Sequence, residues 1–183
     1  MNEPVKPFRK PAGNWAPYGP EHIDPEVPAS VYETIGKIVT QWAKLDDYSV
    51  KYLVQEIGTD AGVAHALVGR MDCLTALDKL KKIARFRQHK EAEKGAVDLA
   101  KMLAPLREMR NILAHSSLVG VSKQSKALVF SDHSGAFLDD EGKLCVPSAA
   151  IMPEKLSEGL LRLNIIAGVL LETLGKRASS PEK

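Results

Sequence analysis

Apolar residues recur every three or four positions from Val31 onward, the spacing of one face of an α-helix. Ser30 and Glu33 have the form of a capping box, in which each side chain satisfies a free amide of the first turn. The pattern continues to Ile57, and Gly58 is a residue type that commonly ends a helix. The sequence therefore predicts one amphipathic helix of about seven turns, with a candidate break near Asp46.

The same periodicity predicts two further helices. Asp60 is a suitable cap for a second helix, whose apolar stripe runs through to Phe86. A third helix begins around Glu91 and carries its last apolar position at Leu113. Pro105 lies inside this third helix and removes one backbone hydrogen bond, which predicts a kink.

From Leu118 the apolar period changes to two, which is typical of β-strands. Short strands are predicted at 118–121, 127–130 and 144–146, separated by turn-forming residues. A last helix is predicted to begin near Pro153 and to end at Gly175. The predicted class is mainly α: an antiparallel four-helix bundle with a small β-hairpin or meander insertion before the last helix.

The predicted organisation has three parts. Seven of the eleven prolines fall in residues 1–28, which predicts an extended N-terminal arm. Trp15 and Tyr18 are the expected anchors of this arm, and a mobile tail is the alternative interpretation. The helical domain is expected at 29–176, with its β insertion at 118–147, and residues 177–183 form a polar tail.

The amino-acid composition excludes several classes of protein function. The 183 residues include 25 basic and 23 acidic ones, so the net charge of +2 excludes a generic electrostatic coat for nucleic acid. Two cysteines do not make a disulfide framework, and no apolar run approaches the length of a membrane span. The sequence lacks a Gly-rich phosphate loop, HExxH and CxxC, and its five histidines lack metal-ligand spacing. We therefore expect a cytoplasmic protein without a membrane partner, a metal or a cofactor.

The strongest candidate for chemistry is the segment Arg110-Asn111-Ile112-Leu113-Ala114-His115. An Arg and a His at this kind of spacing are expected roughly 0.7 times by chance in such a composition, but requiring Asn after the Arg lowers that to roughly 0.015. This segment resembles the motif of the HEPN superfamily, whose ribonucleases carry an Arg, four to six residues and then a His. The resemblance covers residues 28–176 in helix order as well as in the motif.

The resemblance implies a dimer with a composite site that cleaves RNA without a metal, by attack of the ribose 2′-hydroxyl on the adjacent phosphate. It assigns acid–base catalysis to His115, phosphate binding to Arg110 and orientation to Asn111. The residue types fit, because His exchanges protons near neutral pH and Arg forms a planar fork for phosphate oxygens. Glu108 and Ser116 are candidate supporting residues, although Ser116 also suits a helix-end cap.

A second candidate feature is the run of basic residues from Lys79 to Lys94, which we call the basic stripe. An RNA backbone can follow such a stripe, and a solvated helix face is the alternative interpretation. Its candidate RNA-binding residues are Lys79, Lys82, Arg85, Arg87 and Lys90. No aromatic residue is expected to serve base stacking, because Phe86 fits the apolar stripe of the second helix.

Two functions remain open at this point. One is a HEPN-type endoribonuclease acting as a toxin or in anti-phage defence. The other is a non-catalytic HEPN-like module that binds a partner, such as an antitoxin or a nucleotidyltransferase, or a nucleotide. A family branch paired with nucleotidyltransferases carries Tyr two residues after the His, where this chain has Ser117.

Overall fold

A computed structural model describes residues 22–58, 60–69, 71–132, 137–138, 144–146 and 148–178. Over these ranges the chain is mainly helical with a small antiparallel sheet, which confirms the predicted class at this level. The helices are α1 (Ala29–Ile57), α2 (Ala61–Val68), α3 (Cys73–Phe86), α4 (Lys90–His115) and α5 (Pro153–Ala178). The strands are β1 (Ile23–Asp24), β2 (Ser117–Ser122), β3 (Leu128–Ser131), β4 (Phe137–Leu138), β5 (Leu144–Cys145) and β6 (Ser148–Ile151).

Helix α1 is continuous, so the candidate break near Asp46 does not occur. It begins at Ala29, one residue before the predicted cap Ser30, and Val31 donates its amide to the carbonyl of Pro28 at 2.9 Å. The carboxylate of Glu33 accepts a hydrogen bond from Lys37 at 2.5 Å, and the capping box with Ser30 stays a prediction. Gly58, with φ +62°, follows the helix as predicted.

The predicted second helix is two helices. Asp60 caps α2 by accepting the amide of Gly62 at 2.9 Å, as expected. The chain then turns at Gly69, whose φ of +64° lies in the left-handed region, and Asp72 caps α3 by accepting the amide of Thr75 at 2.8 Å. The apolar spacing is the same on both sides of this break, so periodicity alone did not reveal it.

The other two helices are close to their predicted extents. Helix α4 runs without interruption past Pro105 to His115. Helix α5 begins at Pro153 as predicted, but it continues three residues beyond Gly175 to Ala178, so the predicted end was wrong. None of the helices in the described ranges combines the length and apolarity that a bilayer span requires.

The chain divides into two compact units, one mainly of helices and one built around the sheet. Among the described residues, the helical unit contains positions 33–110 and 156–178. Met109 of α4 occupies the place that a side chain on Gly159 of α5 would fill, so these two helices approach closely there. The fully buried large side chains of the helical unit are Ile38, Leu45, Leu53, Leu77, Leu80, Leu103, Leu156, Leu163, Ile166 and Leu170.

The sheet unit contains the described residues of 22–32 and 111–155. Its four-stranded antiparallel sheet has the order β1-β2-β3-β6, and β4 pairs with β5 in a separate hairpin. The pairing of β2 with β3 shifts between Leu118 and Gly120, so Val119 lies in a bulge. Three consecutive residues of β3, Leu128–Phe130, are buried, which means that both faces of this strand are covered.

The sheet includes two strands that the sequence did not predict. Residues 23–24, assigned to the extended arm, pair with β2, and β6 follows the last predicted strand. The expected anchors Trp15 and Tyr18 lie outside the described residues.

Candidate functional site

The Arg–His motif occupies the last two turns of α4. Buried Leu106 and Leu113 fix this part of the helix, together with the contact between Met109 and Gly159 described above. The helix ends at His115, with the amide of Ser116 still donating to the carbonyl of Ile112 at 2.9 Å. Strand β2 begins immediately afterwards, so His115 is held at a helix-to-strand junction.

The motif residues differ in exposure. Asn111 and His115 are exposed, as is Glu108, whereas Arg110 and Ser116 are half-buried. Asn111 and His115 are four residues apart and therefore share one face of the helix. Arg110 lies about 140° around the helix axis from His115, at 100° per residue. The helix thus presents the amide and imidazole groups to solvent and directs the guanidinium elsewhere.

Arg110 interacts electrostatically with Asp46 of α1. Burial raises the pKa of the Asp46 carboxyl, and the positive charge of Arg110 opposes that rise. Asp46 also accepts the amide of Cys73 at 2.8 Å, so the same carboxyl joins the middle of α1 to the first residue of α3. The charge of Arg110 therefore acts on a half-buried carboxyl of the helical unit.

Asp46 is the residue that the sequence interpretation missed as part of this site. It was considered only as a break in α1, but it sits next to the fully buried Leu45 on the flank of the apolar stripe. The sequence feature that could have identified Asp46 is its position beside the buried face of a long helix, where a carboxylate needs a partner. Nothing in the spacing identified Arg110 as that partner.

Lys90, in the basic stripe, lies at the far end of α4 from the motif. It is the first residue of α4, and Arg110 follows twenty residues later, about 30 Å along the helix axis. The structure therefore does not bring Lys90 close to Arg110 of the same chain. All five predicted RNA-binding side chains are exposed: Lys79, Lys82, Arg85, Arg87 and Lys90.

Several of these cations already have partners. Lys82 pairs with Asp78 at 2.6 Å, and Arg85 pairs with Glu93 at 2.6 Å. In the part of the chain that the structure describes, Lys79 and Lys90 form no ion pair. Arg87 is different, because its guanidinium donates to the main-chain carbonyls of Glu56 and Ile57 at the end of α1. A carbonyl carries no net charge, so Arg87 keeps its full positive charge while its position is fixed.

Phe86 is the clearest correction to the sequence interpretation. It was assigned to the apolar stripe of its helix, but its side chain is 89% exposed. Phe86 is the last residue of α3, where the chain turns away before α4 begins, so no neighbouring helix covers the ring. An aromatic side chain therefore stands among the cations of the basic stripe.

The described residues contain no group of three or more His, Cys, Asp or Glu side chains arranged to hold a metal ion. The side chains of His65 and His133 and of the acidic residues Asp139, Asp140 and Glu141 lie outside the described part. Comparisons of this chain with protein-family models, with curated proteins and with solved structures gave no match.

Proposed function

We propose that this protein is a metal-independent endoribonuclease of HEPN type. The observation that carries the proposal is the exposure of Asn111 and His115 on the last turns of α4, next to Arg110 in the matching motif order. In this proposal the four long helices α1, α3, α4 and α5 correspond to the HEPN-like bundle. The short helix α2 is then an addition between α1 and α3.

The residue types suit cleavage by the ribose 2′-hydroxyl. His115 takes the proton from that hydroxyl, and the oxygen attacks the adjacent phosphorus to form a phosphorane. The 5′-oxygen leaves as it takes a proton from the imidazolium of His115 or from water, which gives a 2′,3′-cyclic phosphate on one fragment and a 5′-hydroxyl on the other. Arg110 stabilises the charge on the phosphorane, and Asn111 orients the imidazole or binds the substrate. Exposed Glu108 and half-buried Ser116 are supporting residues in this scheme.

The active site is proposed to be composite, formed by two copies of the chain. Because Arg110 and His115 diverge by about 140° on one helix, Arg110 of one copy and His115 of the other are the pair that acts on one phosphate. Exposed apolar side chains on α5, Leu161, Ile165 and Val169, supply a candidate homodimer face. Ile165 also lines a groove with Met102 and Pro105 of α4, so this face continues onto the motif's own helix.

RNA is the proposed substrate, and the basic stripe is its proposed secondary contact. Lys79 and Lys90, which form no ion pair with the described residues, suit phosphate groups together with the fixed charge of Arg87. We place the protein in the cytoplasm, as a toxin or anti-phage defence factor that an antitoxin or a nucleotidyltransferase can accompany. Because Ser117 stands where one family branch has a modifiable Tyr, modification of a Tyr at that position is not part of the proposal.

One observation favours a second function, that of a non-catalytic binding or assembly module. Arg110 is half-buried and acts on Asp46, so its charge already serves the interior of the helical unit. Under this alternative the motif stabilises the helix end and the fold, and His115→Ala leaves partner binding unchanged. An active nuclease instead loses cleavage with the same substitution.

The direct test is incubation of purified protein with a mixed-sequence RNA in excess EDTA. The proposal predicts fragments with cyclic phosphate and 5′-hydroxyl ends, and no product from His115→Ala. His22→Ala, another exposed histidine outside the motif, is the matched control and should cleave normally. A substrate with 2′-deoxyribose throughout should remain intact. Intact RNA with the folded wild-type protein, across varied substrates, would favour the binding module.

A further inference from the structure

The exposed ring of Phe86 is one wall of a shallow depression on the helical unit. Its other lining residues are Ile57 at the end of α1, Ile83 and Lys82 of α3, and Arg87. Phe86 and the two isoleucines are apolar, whereas Lys82 and Arg87 are cationic. The depression therefore combines an aromatic face with positive charge at its edge.

Arg87 is held in a defined position at this edge. Its guanidinium donates to the carbonyl of Ile57 at 2.7 Å and also to the carbonyl of Glu56. The two carbonyls belong to the last residues of α1, so the bonds tie the end of α3 to the end of α1. The cation beside Phe86 is thus placed before any ligand arrives, and less conformational freedom is lost on binding.

The surrounding charges favour a polyanion. Lys90 begins α4 four residues after Phe86, and Lys79 lies two turns earlier on α3. The ion pair of Lys82 with Asp78 is solvent-exposed on both sides, and because such pairs contribute little to stability, little is lost when Lys82 turns to a phosphate. An uncharged apolar partner would use the ring but not these cations.

We propose that the C-terminal end of α3 binds a single-stranded segment of RNA, with one unpaired base stacked on Phe86 and the flanking phosphates on Arg87, Lys82 and Lys90. An exposed aromatic ring can stack on a base only when that base is not already paired and stacked inside a duplex. The inference rests on the proposed function in taking RNA as the ligand, and it specifies unpaired RNA. It also gives the basic stripe a role that depends on the aromatic ring.

The test is the binding of a fluorescent, unstructured 12-nucleotide RNA, measured by anisotropy in the His115→Ala background so that the RNA stays uncut. Phe86→Ala should weaken binding about tenfold, and Phe86→Trp should restore it, because stacking needs a ring. Tyr32→Ala, which removes another exposed aromatic ring, is the matched control and should bind as the background does. The affinity for duplex RNA of the same sequence should be unchanged by Phe86→Ala.

Unchanged single-strand binding in Phe86→Ala, or an equal loss with duplex RNA, would overturn the stacking proposal. The nuclease proposal is judged separately, by cleavage with the His115-intact protein in EDTA. Phe86-dependent binding without cleavage would support the stacking site and overturn the nuclease. Cleavage by the His115-intact protein, combined with RNA binding that does not depend on Phe86, would support the nuclease and overturn the stacking site.

Discussion

Burial raises the pKa of the Asp46 carboxyl on α1, and the positive charge of Arg110 on α4 acts on the same carboxyl in the opposite direction. Arg110, one half of the candidate active pair, is half-buried. The other half, His115, is exposed at the end of the same helix.

The raised pKa of Asp46 leads to a prediction about stability and pH. The folded protein retains this proton to a higher pH than the unfolded chain, so the contribution of Asp46 to stability falls as the pH rises above about 4. Asn does not ionise, yet its oxygen can still accept the Cys73 amide. We expect the Tm difference, Asp46→Asn minus wild type, to increase from pH 4 to pH 7.

Thermal melts followed by circular dichroism at both pH values test this. Asp98→Asn, at an exposed aspartate of α4, is the matched control. A Tm difference for Asp46→Asn that decreases toward pH 7 would contradict the prediction.

The same substitution tests whether Asp46 positions Arg110. If the carboxylate holds the guanidinium for phosphate binding, Asp46→Asn should lower the rate of RNA cleavage by about tenfold or more, because small displacements of catalytic groups have large effects on rate. The melting curve at pH 7 shows that such a loss is not unfolding. A cleavage rate equal to that of wild type would show that Asp46 does not position Arg110.

The helical class and much of the candidate motif were predictable from local information. Helix α1 and the cap at Asp60 follow from spacing and side-chain chemistry over a few residues. The break before α3 was not predicted, because Gly69 interrupts an apolar spacing that continues on both sides. The exposure of Phe86 and the electrostatic interaction of Arg110 with Asp46 depend on which helices are neighbours, and a single sequence does not carry that information.

Gly120 in β2 is predicted to tolerate no side chain. A Cβ there would collide with the backbone of Asp24 and the side chain of Ile23, both in the paired strand β1. Gly120→Ala should therefore destabilise the protein by about 1–3 kcal/mol, the usual range for overpacking. Gly36 in α1 has open space around it, so Gly36→Ala should instead stabilise by about 0.5–1 kcal/mol.

Urea denaturation of the two variants measures these free energies of unfolding. A neutral Gly120→Ala, with the same urea dependence as wild type, would show that β1 does not pack against β2 in this register.

His89 is predicted to stabilise the buried carboxylate of Glu56. The side chain of Glu56 is 1% exposed, and its Oε1 lies 2.6 Å from Nδ1 of His89. Removing this hydrogen-bond partner from a buried group typically costs about 1–3 kcal/mol. We expect His89→Ala to lower the free energy of unfolding by that amount, measured by urea denaturation. Lys94→Ala, at an exposed residue near the start of α4, should change the free energy of unfolding little.

Cys73 is predicted to be unreactive in the folded protein. Burial, followed by the negative charge of Asp46, raises the pKa of its thiol well above the ordinary range, so the reactive thiolate is not formed. In a Cys145→Ser background, a thiol reagent should modify Cys73 only after unfolding in guanidinium chloride. Rapid modification under native conditions would show that this part of α3 opens readily.

The central claim is that Arg110 of one copy and His115 of another form a metal-independent ribonuclease site. The most direct measurement is the rate of RNA cleavage in EDTA by an equimolar, re-equilibrated mixture of Arg110→Ala and His115→Ala. Half of the dimers then contain both variants, and each of those has one intact site of two, so about one quarter of the wild-type rate is expected. Each variant alone should be inactive. No recovery in the mixture, or no cleavage by the wild-type protein, would contradict the claim.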